Sequence, residues 1–360
     1  MNFDVKFYRG KRIFVTGHTG FKGTWLCKWL SLFGANVTGY ALPPATEKSA
    51  EVFSRSGVSA EIDSIFGDVR DLGKLKMAFD ESKPEIVFHL AAQPIVLESY
   101  RDPVNTFSTN VMGTVNLLEC VRKSDTVRSF LNITTDKVYD NREWVWGYRE
   151  NDALDGYDPY SNSKSCSELV TASFRRSFFA DGRAAISTAR AGNVIGGGDF
   201  SANRIVPDCI RAAYANEAIQ VRNPYSVRPY QHVLEPLYAY LMIVEAQYND
   251  GDYTGAYNIG PDEDDCIATG KLAQLFCEAW GEGMTWKNVD VNQPHEANCL
   301  RLECSKLKST FGWRPRWNAK TAVEKTVEWA KAYRDGENIS VMMERQIRDY
   351  GEAVRNDAAV

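Results

Sequence analysis

The chain has 360 residues, 44% of them hydrophobic, enough to bury a sizeable core, and that length predicts two domains. A net charge of −5 with no basic stripe argues against nucleic acid as a partner, and Arg175-Arg176 and Arg314-Pro315-Arg316 read as solvated surface. No apolar run approaches the roughly 20 residues of a membrane span, and Leu237–Ala246, the nearest candidate, reads as a buried helix.

Residues 1–9 are mixed and charged, with no apolar region of the kind that directs secretion. The eight cysteines are scattered, with no Cys-x-x-Cys, so reduced and mostly buried thiols in a cytoplasm are expected. None of the four histidines, His18, His89, His232 and His295, stands at metal-ligand spacing from another or from a cysteine. No metal site is expected.

In chain order, Lys11–Thr16, Asn36–Tyr40, Glu85–Leu90, Ser129–Thr134 and Ala185–Ala189 read as strands, with a further strand before Asp68. Trp25–Phe33, Leu72–Glu81, Val104–Lys123 and Tyr160–Phe179 read as helices between them. Such alternation predicts βαβ units, a parallel sheet and right-handed crossovers. Runs such as Ile86-Val87-Phe88 lack polar alternation, as strands buried on both faces do. The fold class expected is α/β: a Rossmann-type doubly wound parallel sheet over residues 1–190, with a smaller mixed α/β substrate domain over 191–360 and some crossing of chain between them. Gly196-Gly197-Gly198 is a breaker near that boundary, and the polar stretch from Asp335 is expected to pack lightly.

Between the first strand and first helix lies Gly17-His18-Thr19-Gly20-Phe21-Lys22-Gly23. Gly17 permits the tight turn, Gly20 lets backbone approach a pyrophosphate, and Gly23 lets helix and strand pack closely. The helix N-terminus then offers N–H groups and a positive dipole end to phosphates. A dinucleotide usually also meets an acid at the end of the second strand. Here that end reads Val37-Thr38-Gly39-Tyr40-Ala41-Leu42, with neither an acid nor an arginine, so both NAD and NADP stay open.

Tyr160-Ser161-Asn162-Ser163-Lys164 places a phenol and an amine on one helical face. An ammonium beside a phenol favours phenolate, so Lys164 is expected to lower the Tyr160 pKa towards working pH and make it a base. Thr135-Asp136-Lys137 follows a buried strand, where open α/β sheets bind ligands. An acid and an amine there suit a second chemical step beyond simple oxidation. Asp71, not Asp68, suits the N-cap of the helix beginning near Leu72.

With these motifs go His89-Leu90-Ala91-Ala92, Asn110-Val111-x-Gly113-Thr114, Arg190-Ala191-Gly192-Asn193-Val194 and Phe311-Gly312-Trp313-Arg314-Pro315, all in order. From about Gly10 to Trp329 the chain resembles the extended short-chain dehydrogenases/reductases, and within them the nucleotide-sugar 4,6-dehydratases. Leu42-Pro43-Pro44-x-Thr46 and Arg228-Pro229-Tyr230-Gln231-His232-Val233 narrow the likeness to members acting on a cytidine-activated hexose. Thr-Asp-Lys also occurs in dehydratases of UDP-N-acetylglucosamine, so that sugar stays an alternative.

The resemblance implies a transient oxidation at carbon 4, elimination across carbons 5 and 6, and return of hydride to carbon 6. It implies catalysis by Thr135, Asp136, Lys137, Tyr160 and Lys164. Cofactor contacts would come from Gly17, Thr19, Gly20, Phe21, Lys22, Gly23, Asp68, Val69, Leu90, Ala91, Ala92, Thr109, Tyr160 and Lys164. Substrate contacts would come from Gln93, Asn193, Arg204, Arg228 and Arg301, while Tyr225, Tyr230 and Trp317 are candidates to stack on a base. It also implies a homodimer or dimer of dimers through Val104–Lys123 and Tyr160–Phe179. A 4-epimerase, which needs Tyr160 and Lys164 but no acid and base at 136 and 137, and a non-catalytic dinucleotide sensor are the rival readings.

Overall fold

A computed structural model describes residues 4–289 and 300–357; His295 lies outside them. Seven strands form one parallel sheet: β1 Arg12–Thr16, β2 Asn36–Ala41, β3 Asp63–Phe66, β4 Ile86–His89, β5 Ser129–Thr134, β6 Ala185–Ala191 and β7 Ala256–Ile259. Their order is β7-β6-β5-β4-β1-β2-β3, so the direction of winding reverses between β1 and β4. At such a switch point a crevice opens beyond the carboxyl ends of the strands.

The unbroken apolar runs are explained by what covers each face. Ile13 and Val15 of β1 enter one core with helices α1 Phe21–Leu32 and α6 Leu234–Asn249. Phe14, pointing the other way, joins a core with α2 Leu72–Ser82 and α3 Gly113–Arg122. Helix α4 Pro159–Phe178 packs on that same side, against α3. Asp71 caps α2 by accepting from Lys74 N at 3.0 Å, as the sequence predicts.

Beyond residue 190 the chain does two things. It returns to the sheet with α6, buried along almost its whole length as expected of Leu237–Ala246, and with edge strand β7. It also builds a further core from α5 Ile205–Ala215, α7 Thr269–Trp280 and α8 Ala319–Arg334. No helix is long and apolar enough to cross a membrane among the described residues.

Two expectations are corrected. The run Val104–Lys123 is not one regular helix: Pro103–Phe107 leads into a π turn over Ser108–Met112 before α3. That bulge re-aims Asn110, whose amide bonds Gln93 and Ser163, and π bulges recur where function demands such local re-aiming. Nor does the polar tail from Asp335 pack lightly. Helix α9 Ile339–Asp357 buries Ile339, Met342, Met343, Ile347 and Tyr350 against α1 and α6. Its apolar residues recur at helical spacing, so a low overall hydropathy hides a complete core-facing stripe.

Candidate active site

Gly17 has φ +76°, and a Cβ there would stand 2.7 Å from Ala91 N. A Cβ on Gly23 would stand 2.1 Å from the carbonyl oxygen of Gly17. Both glycines are therefore dictated by close approach, as the spacing suggests. Gly20 caps α1 with no side-chain bond to the first turn, and Gly20 to Gly23 border a cleft of about 1110 Å³ at the strand ends. Unsatisfied N–H groups, a helix dipole and no intruding side chain fit a dinucleotide pyrophosphate.

The loop after β4 is tied to β1 through Thr16, whose Oγ1 accepts from Leu90 N and Ala91 N, both at 3.2 Å. His89 sits buried between Thr16 Oγ1 at 2.8 Å and Thr114 Oγ1 at 3.0 Å, and burial brings its pKa down to about 3. It is a neutral strut. Leu42, Pro43 and Pro44 line the cleft beyond β2, with no acid among them.

Every other residue expected at the cofactor also borders the cleft: Thr19, Phe21, Lys22, Asp68, Val69, Ala92 and Thr109. Asp68 is engaged by Arg70, whose Nε donates to both of its oxygens, at 3.0 and 2.9 Å. Those hydrogen bonds hold its carboxyl below the usual range. Lys22 is brought down to about 8 by burial and by the positive charges of Arg204 and Lys164.

Thr135, Asp136, Lys137, Tyr160 and Lys164 meet at the same cleft. Lys164 does not titrate the phenol as expected. Burial pushes Tyr160 up to about 12, offset partly by its hydrogen bond to Thr135. Burial also brings Lys164 down to about 8, opposed by Glu168. Its Nζ donates to the Ile133 carbonyl at 3.1 Å, locking helix α4 to strand β5. Taking both groups out of water disfavours both charges, the phenolate and the ammonium alike.

Asp136 is 1% exposed and accepts from Thr135 Oγ1 at 2.9 Å and from Asn193 Nδ2 at 3.1 Å. Asn193 takes a left-handed backbone, φ +48°, just past β6. Its side chain holds a carboxylate, where a contact to the substrate was expected. Gln93 lines the cleft but turns its amide to Thr106 Oγ1 and Ile95 N. Arg204 pairs with Asp199 at 3.2 Å, and Arg228 is buried, donating to Val227 O; both border the cleft.

Arg301 does not border it; its backbone accepts from Tyr148 N at 2.9 Å. Of the aromatic candidates, Tyr230 lines the cleft, Tyr225 is 83% exposed outside it, and Trp317 packs against His232 and Tyr350.

The sequence reading missed Glu168. It follows Tyr160 and Lys164 at the same four-residue step, which was the available signal. Buried, it accepts from Thr188 Oγ1 at 2.7 Å and Arg190 Nη2 at 2.9 Å. It also missed Gly192, whose contact with Asp136 only folding reveals.

Residues 14–326 match the model of the family described as GDP-mannose 4,6 dehydratase. A CDP-glucose 4,6-dehydratase of Salmonella typhimurium is 47% identical over 97% of this chain and 99% of its own. A probable dTDP-glucose 4,6-dehydratase of Sinorhizobium fredii is 26% identical over 88% of this chain and 92% of its own. Among solved structures, a UDP-glucose 4-epimerase of Thermotoga maritima with UDP-glucose superposes with TM-score 0.78 at 22% identity, covering 89% of this chain and 99% of that one. A dTDP-glucose 4,6-dehydratase of Bacillus anthracis in complex with NAD superposes with TM-score 0.75 at 18% identity, covering 90% and 98%. Both establish the fold.

Proposed function

The chain belongs to the GDP-mannose 4,6 dehydratase family, and on that premise we propose that it removes water from CDP-glucose to give CDP-4-dehydro-6-deoxyglucose. The observation that carries this reading is a buried acid, Asp136, with Lys137 beside it, in one cleft with Tyr160 and Lys164. Near-full-length identity of 47% to a CDP-glucose 4,6-dehydratase supports the choice of substrate.

NAD, with NADP as the alternative, is the cofactor the glycine turn fits; bound there it would supply a reversible hydride acceptor for the sugar. Gly17, Thr19, Gly20, Phe21, Lys22 and Gly23 would hold its pyrophosphate end, and Asp68, Val69, Leu90, Ala91, Ala92 and Thr109, which border the same cleft, would contact the rest of it. Lys164 would orient the ribose nearest the chemistry.

Tyr160 takes the proton from the hydroxyl on carbon 4, assisted by Thr135. The ketone so formed acidifies the hydrogen on carbon 5, which Lys137 removes. Asp136, protonated, donates to the hydroxyl leaving carbon 6. Lys137 returns its proton to carbon 5, so the net change is loss of water. Arg204 and Arg228, which border the cleft, would pair with a diphosphate.

We further infer a homodimer or dimer of dimers, supported by exposed apolar Val104, Met112, Leu169 and Phe178 on the helices around α3 and α4. A 1–190 cofactor domain, a 191–360 substrate domain and a cytoplasmic location complete the reading. The product's chemistry suits a bacterial route to the 3,6-dideoxyhexoses of lipopolysaccharide O-antigen.

The test is incubation with NAD and, separately, CDP-glucose, dTDP-glucose, UDP-glucose and UDP-N-acetylglucosamine, with product mass read for loss of one water. Loss from CDP-glucose alone is expected. Loss only from UDP-N-acetylglucosamine would replace the substrate, and no loss from any would return the chain to the epimerases.

A further inference from the structure

Asp136 and Lys137 are neighbours in one short turn, yet they are held differently. The Asp136 carboxylate is engaged by Thr135 Oγ1 and Asn193 Nδ2, and it rests on Gly192. The Lys137 ammonium has no hydrogen-bonding or ionic partner among the described residues. A lysine stem is flexible, so where an unpartnered amine reaches is set by how firmly its main chain is fixed.

The residues that follow Lys137 supply that fixing. The Val138 carbonyl accepts from Ser165 Oγ of α4 at 2.7 Å. The Tyr139 phenol, 1% exposed, donates to Asn258 Oδ1 on β7 at 2.6 Å and accepts from Arg190 Nη1 on β6 at 2.7 Å. A guanidinium can only donate, which settles the direction of both bonds. Each partner is itself oriented. The Asn258 amide donates to the carbonyls of Tyr148 and Glu303 at 2.7 and 3.1 Å, and Arg190 pairs with Glu168 at 2.9 Å. The Tyr139 ring stacks on that of Tyr148, with centroids 5.1 Å apart.

We propose that Ser165 and Tyr139 are positioning residues for the elimination step, fixing the chain beyond Lys137 so that its amine meets the hydrogen on carbon 5. This role rests on the dehydratase reading. Neither residue moves a proton in the reaction. The Tyr139 hydroxyl is occupied on both sides, and burial pushes its pKa up, so the phenol keeps its proton. Ser165 Oγ faces the carbonyls of Val138 and Ser161 and accepts from Gly156 N at 3.0 Å. Because Asp136 has supports of its own, loosening the chain at Val138 and Tyr139 falls on the carbon-5 step and spares hydride transfer at carbon 4.

The test uses Tyr139→Phe, which keeps the ring and removes only its hydroxyl, and Ser165→Ala, which removes the other tether. Each is compared with wild type using NAD and CDP-glucose, with and without deuterium on carbon 5. Reduced nicotinamide is followed by its near-ultraviolet absorbance, water loss by product mass, and folding by thermal melts. Water loss should slow by about 10- to 100-fold, the upper figure being the cost of misplacing a reacting group by roughly 1 Å. KM for CDP-glucose should stay unchanged. Oxidation should continue, so reduced nicotinamide accumulates during turnover, and the carbon-5 isotope effect on water loss should grow as that C–H bond becomes the slowest to break. Should the phenylalanine variant fail to fold, Ser165→Ala decides. Water loss at the native rate would overturn the proposal. So would a parallel fall of oxidation and water loss with no accumulated reduced nicotinamide and an unchanged isotope effect, the outcome of a merely structural role. A wild-type protein that removes water from no nucleotide sugar would overturn the dehydratase reading instead, and this role with it.

Discussion

Gly192 lies against Asp136 so closely that a Cβ on the glycine would stand 1.9 Å from the Oδ2 atom of the carboxylate. The backbone just past β6 thus forms the wall on which the acid rests. Gly192→Ala should push Asp136 off the cleft while leaving the sheet folded. Misplacing a reacting group by about 1 Å costs on the order of 100-fold in rate. Water loss at that reduced level, with an unchanged far-ultraviolet spectrum, is the expected result, and full activity would contradict this placement of Asp136.

Glu168 and Arg190 form a buried ion pair at 2.9 Å beneath the catalytic helix, and both side chains are nearly inaccessible. Glu168→Ala leaves the guanidinium buried without its partner, which costs about 3–5 kcal/mol. Urea denaturation should show a lower midpoint with an unchanged slope. Glu168→Gln keeps the shape and should recover part of that loss.

Lys164 also links catalysis to stability through pH. Its folded pKa of about 8 lies below the ordinary 10.5, so above pH 8 the unfolded chain binds more protons than the folded one. Stability from this group therefore rises with pH between about 8 and 10.5. Lys164→Met should lessen that rise in a series of thermal melts and also abolish turnover. Wild-type activity should decline above about pH 8, as the ammonium is lost. Lys22, also brought to about 8 and in part by the charge of Lys164 itself, adds to the same slope, so a smaller rise persists in the variant.

Tyr350 on α9 donates to Glu235 on α6 at 2.7 Å, and the same carboxylate accepts from Trp317 N at 2.7 Å and Arg316 N at 2.9 Å. Burial pushes Glu235 up to about 7. Tyr350→Phe removes one donor from a buried acceptor, a loss of about 1–3 kcal/mol. A fall in melting temperature with retained catalysis would place α9 in the scaffold. Loss of catalysis at unchanged stability would place it in the site.

The boundaries between what could be read early and what could not follow from distance along the chain. The glycine turn was legible because a strand, three glycines and a helix are consecutive, and each glycine answers a local steric demand. Tyr160 and Lys164 were legible because one turn of helix puts them on one face. The π turn at Ser108–Met112 was not, since it is selected by Asn110 reaching Gln93 and Ser163 on other elements. The packing of α9 was obscured by the polarity of its outer face, although its apolar stripe is present in the residues.

By itself the sequence determined the parallel sheet, the dinucleotide turn and the residue types of the chemistry, because these rest on local sterics and on a period of apolar residues. Only the tertiary structure decided what those residues are next to. Asn193 and Asp136 are 57 positions apart, and their meeting depends on β5 and β6 pairing in register. The same is true of the charges: the sequence argued for a lowered Tyr160 and folding raised it, because desolvation acts through every atom packed around a group and not through its neighbour in a motif.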